Sequence, residues 1–105
     1  MAAEERRLFA ISHLPQVTQQ IAELRSKAID VGLKSEYVAA LEKMVAKLQN
    51  EPLEWGDPEW HPKKMGSSVR HGICDPLFVQ YAVFEVERSV LILKIKALPS
   101  SPLAK

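Results

Sequence analysis

The chain has 105 residues, 47% of them hydrophobic and 26% charged, with a formal net charge of +1. That is enough for a single domain with one two-layer core, and it excludes an intrinsically disordered chain. The near-neutral total also excludes a global electrostatic pull toward nucleic acid or membrane.

Charge is unevenly placed along the chain. Residues 1–60 carry a net −3 and residues 61–105 a net +4, so the C-terminal half is the side suited to an acidic partner. Cys74 is the single cysteine, which rules out an intramolecular disulfide and fits a reducing, cytoplasmic setting. The first residues carry acids where a signal peptide needs a basic and then an apolar segment. No apolar run reaches the ~18 residues of a membrane span. A cytoplasmic protein without membrane contact is expected.

Arg7–Ser12 is a short apolar run that reads as a first strand, closed by His13, Leu14 and Pro15. Pro15 suits the first turn of a helix, where its missing N–H has no partner to lose. Val17, Ile21, Leu24, Ala28 and Val31 then recur at spacings of 4, 3, 4 and 3, which predicts one buried helical stripe. Gly32 suits the left-handed position past the helix end. A second helix follows, with Ser35 as N-cap, Glu36 near the positive dipole end, and Tyr37, Leu41, Met44 and Leu48 as its stripe. Asn50 and Pro52 stop it.

Residues 51–67 contain three prolines and two glycines and read as an irregular loop, excluded from a continuous helix or a central strand. Trp55 and Trp60 give this loop enough apolar area to be pinned to the body by at least one indole.

Three strands are predicted next: Ser68–Cys74, Leu77–Phe84 and Ser89–Leu98, joined by Asp75-Pro76 and by residues 85–88. In the middle run Leu77, Val79, Tyr81 and Val83 alternate with Phe78, Gln80, Ala82 and Phe84, and both sets are mostly apolar, as in a central strand. In the last run strict alternation sets Leu91, Leu93, Ile95 and Ala97 against Val90, Ile92, Lys94 and Lys96. The termini, 1–6 and 99–105, are expected to fray. The fold class is α+β, in the order β-α-α-β-β-β: a helical hairpin on one face of a four-stranded, mainly antiparallel sheet, forming one domain.

The strand–hairpin–meander order resembles the RelE/ParE superfamily of toxin–antitoxin toxins over Arg7 to about Leu98. So do Leu48-Gln-Asn-Glu-Pro52, Leu77-Phe-Val-Gln-Tyr-Ala-Val83 and Val90-Leu-Ile-Leu-Lys-Ile95. The resemblance implies a toxin-type protein, of the kind associated with plasmid stabilisation, paired with a small antitoxin. In its ribonuclease branch, which implies ribosome and mRNA as partners, basic side chains on the open sheet face polarise the mRNA backbone. A late Arg and Tyr assist there in acid–base catalysis. Here Arg70 is the match in the first meander strand, Phe78 stands where the central-strand arginine is expected, and no Arg, His or Tyr follows Ile95. Positioned acid–base groups contribute roughly 10²–10⁴-fold, so their loss argues against cleavage. The ParE branch, which poisons DNA gyrase by binding, needs no such set.

Protein binding is therefore the expected activity. A residual endoribonuclease using Arg70, His71 and Lys63 or Lys64 is the enzymatic alternative, and a non-toxic interaction module the third. Lys63, Lys64, Arg70, Lys94 and Lys96 are the candidate basic partner surface. An unpaired first or last strand offers an edge for a partner or for a homodimer. His61, His71 and Cys74 fall short of a zinc signature. Cys74 with His71 as base fails if one strand carries both, because residues three apart project to opposite faces. No cofactor fingerprint is present.

Overall fold

The structure, a computed structural model, describes residues 8–60 and 67–104. Its elements are β1 (Ala10–His13), α1 (Pro15–Asp30), α2 (Lys34–Asn50), α3 (Pro52–Trp55), β2 (Asp57–Trp60), β3 (Ser67–Cys74), β4 (Leu77–Phe84) and β5 (Ser89–Ala97), followed by a 3₁₀ turn at Pro102–Ala104. Among the described residues no helix is long and apolar enough to cross a membrane.

Among the described residues the sheet has five strands in the order β1-β5-β4-β3-β2, with β1 parallel to β5 and the other pairs antiparallel. The fifth strand, β2, lies in the stretch read from sequence as irregular. Pro58 cannot donate to a ladder, but β2 pairs on one side only and carries a bulge between Pro58 and Trp60, which is where a sheet tolerates proline. β4 takes the central place expected of it.

Helix α1 lies over β5, and α2 over β3 and β4, on one face of the sheet. Val17 and Ala28 of α1 and Tyr37, Ala40, Met44 and Leu48 of α2 are buried, with Ile21, Leu24 and Leu41 packed at the margin. Val31, expected on the stripe, falls just past α1 and is exposed. Gly32 takes φ +76°, and the N–H groups of Gly32 and Leu33 bond to the carbonyls of Ile29 (3.2 Å) and Ala28 (2.7 Å), a left-handed helix stop. Helix α2 is capped two residues earlier than expected, at Leu33 rather than Ser35. The Tyr37 hydroxyl donates to Ile21 O (3.0 Å), tying the two helices together.

Two further expectations are corrected. β5 does not alternate strictly. Tyr81 pairs with Ile92 and Gln80 with Lys94, so Leu93 is an extra residue in a bulge. A one-residue insertion changes which parity faces the core. Val90 and Ile92 before it, and Ile95 after it, are buried, while Lys94 and Lys96 are exposed. The tail is seated rather than frayed: Leu103 and Ser101 are buried, and Leu103 N–H donates to Ser101 Oγ (3.0 Å).

Candidate functional site on the uncovered sheet face

Strand register gives the make-up of the face opposite the helices. Across β3, β4 and β5 run the rows Ile73–Phe78–Lys96, His71–Gln80–Lys94 and Val69–Ala82–Leu91. The first two rows are polar, basic and aromatic, and the third is apolar. Ile73 is 53% exposed, Lys94 and Lys96 are exposed, and Phe78, Gln80 and His71 are half-buried.

The centre of this face is Phe78. Its ring stacks on the His71 imidazole (centroids 5.5 Å apart, planes at 18°), and Lys96 Nζ stands 5.1 Å from the ring centre, within cation–π range. Asp57, on edge strand β2 opposite His71, brings Oδ2 to 4.0 Å from His71 Nε2. At that distance it is an ion pair when the imidazole is protonated, and too long for a hydrogen bond. The set offers a flat aromatic surface, two lysines and a titratable ring. That is equipment for holding a planar or anionic group.

The sequence candidates divide as follows. Lys94 and Lys96 share this face with His71. Arg70 does not: adjacent strand residues point to opposite faces, and Arg70 lies on the helix side, paired with Tyr81. Its guanidinium donates to Gly56 O through Nε (3.2 Å) and Nη2 (2.9 Å), and to Ser68 Oγ through Nη1 (3.3 Å). A patch uniting Arg70 with Lys94 and Lys96, or a centre uniting it with His71, is therefore not formed. Lys63, Lys64 and His61 lie outside the described residues.

Cys74 is on the helix face, buried, with His71 on the other. Burial pushes its thiol up, offset in part by the charges of Lys43 and Lys47, so the reactive thiolate is disfavoured. Among the described residues no group of three or more His, Cys, Asp or Glu is placed to hold a metal ion.

Arg70 belongs instead to a cluster that seats α3 and β2. Tyr81 is fully buried, and its hydroxyl donates to Pro52 O (2.6 Å). Trp55 stacks on Tyr81 (5.9 Å, 14°) and lies over Gly72, where an added Cβ would come within 2.5–2.8 Å of the indole. The expected pinning indole is thus Trp55. Phe78, Gln80 and Asp57 were missed as members of the open-face set. The alternation of β4 was the signal for the first two. Asp57 gave none, because it sits beside Pro58 in a stretch without strand periodicity.

Comparison with models of known protein families, with curated proteins and with solved structures finds no match to this chain.

Proposed function

We propose that this chain is a protein-binding, toxin-type member of a toxin–antitoxin pair with a RelE/ParE-like arrangement, acting through the uncovered face of its sheet. The observation that carries the reading is the Phe78 centre: an aromatic ring between His71 and Lys96, beside Lys94 and the exposed Ile73. Aromatic and apolar anchors rimmed by charge are what a protein interface is built on. A short antitoxin with acidic and apolar residues complements this face, and a gyrase-type target competes for it. The order of one strand, two helices and an antiparallel meander supports the reading. The cutting alternative is weakened because Arg70 faces away from His71.

The test is expression in a bacterial host, alone and with any antitoxin-sized open reading frame found next to the gene. Growth arrest, relieved by the neighbour and abolished by Lys94→Glu with Lys96→Glu, is the expected result, with host mRNA intact. Normal growth with folded protein present argues for a non-toxic module. Cleaved mRNA argues for the ribonuclease.

A further inference from the structure

The parallel partner of β5 is shorter than β5. β1 pairs with Ser89 to Ile92. The last bond on that side runs from Leu14 N–H to Ile92 O (3.0 Å), because Pro15 then opens α1. Among the described residues no strand lies beside the outer edge of β5 from Leu93 to Ala97. Two glutamines, one turn apart on α1, stand in for one. Gln20 Oε1 accepts from Ile95 N–H (2.9 Å), and Gln16 Nε2 donates to Leu93 O (3.5 Å). Alternation puts the N–H and C=O of Ala97 on the same side as those of Ile95.

Between this edge and α1 runs an open groove of about 450 Å³, whose lining includes Gln20, Glu23, Leu24, Lys27, Lys94 and Lys96. We propose that this groove binds an extended acidic segment of another polypeptide, which adds a strand along Leu93–Ala97 and displaces the Gln20 side chain. The lysines decide the occupant. A second copy of β5 laid on this edge sets Lys94 and Lys96 against their own counterparts, and like charges on paired strands repel. On the added strand, glutamates on one face meet Lys94 and Lys96, and the residues on the other face meet Leu24, Lys27 and Glu23 of α1. Backbone bonds to β5 supply affinity, and the lysines and half-buried Leu24 supply selectivity. This site lies along the strand edge and shares Lys94 and Lys96 with the open face, but it does not rest on the toxin-type reading.

The test titrates ¹⁵N-labelled protein with the acetylated peptide Glu-Val-Glu-Val-Glu-Val-Glu. Two control peptides go beside it, one with lysine in place of each glutamate and one with alternate backbone amides N-methylated. The acidic peptide should move the amide resonances of Leu93, Ile95 and Ala97 and slow their hydrogen exchange. Gln20→Ala should tighten binding about two- to tenfold, because it removes the internal competitor for Ile95 N–H. Lys27→Glu with Lys96→Glu should weaken it about tenfold. No shift at about 1 mM peptide, equal binding of either control, unchanged or weaker binding to Gln20→Ala, or shifts confined to Phe78 and His71 would each overturn the proposal. None of these results depends on whether the protein arrests growth.

Discussion

On β4, Leu77, Val79, Tyr81 and Val83 are fully buried beneath the helices, while Phe78, Gln80 and Phe84 on the same strand stay partly open to water. One eight-residue segment thus supplies the core with one parity and the candidate binding surface with the other. The two faces treat polar groups differently. On the covered side Arg70 and the Tyr81 hydroxyl are fixed by the carbonyls of Gly56 and Pro52, because a buried donor left without an acceptor costs about 1–3 kcal/mol. On the uncovered side Lys94 and Lys96 keep water around their charges and remain available to a partner. The side a polar group occupies decides whether it is bonded within the protein or left to water.

Substitutions can break that comparison, and the largest effect should come from the covered side. Leu48→Ala removes a fully buried side chain and should destabilise by about 2–5 kcal/mol in urea unfolding; a loss below 1 kcal/mol would mean that α2 is not seated as described. Tyr81→Phe should cost about 1–3 kcal/mol by leaving Pro52 O without its donor. Gly72→Ala should cost about 1–3 kcal/mol by driving a methyl group into the Trp55 indole, with a change in tryptophan fluorescence as the local readout. On the uncovered side, Lys94→Glu should stay within about 0.5 kcal/mol of the parent stability while weakening partner binding.

Alkaline pH sharpens the same contrast. Burial pushes the hydroxyls of Tyr81 and Tyr37 above the ordinary 10.0, countered in part by Arg70 at Tyr81 and by Arg25 at Tyr37. An unfolded chain then releases these protons at lower pH than the folded one. The stability they contribute is complete below the unfolded value and is lost as pH rises through the folded values. Tyr81→Phe should flatten that alkaline decline. An unchanged slope would show that Tyr81 does not contribute to it.

The sequence by itself determined the two helices, the left-handed stop at Gly32, the central place of β4 and the pinning of the Trp-bearing loop by an indole. These features rest on local signals: a 3.6-residue period, a two-residue period, a glycine free to take positive φ, and a large apolar ring in a polar stretch. Tertiary structure alone decided the rest. Pairing with β3 turned the proline-containing segment at Asp57–Trp60 into an edge strand. A bulge at Leu93 reversed the parity of β5, so strict alternation wrongly grouped Val90 and Ile92 with Lys94 and Lys96, when they share the buried face with Ile95. Packing decided which of Arg70 and His71 meets the helices, since alternation separates the two faces without saying which one is covered. Register and bulges are properties of paired strands, and a partner strand distant in sequence leaves no mark in the local pattern.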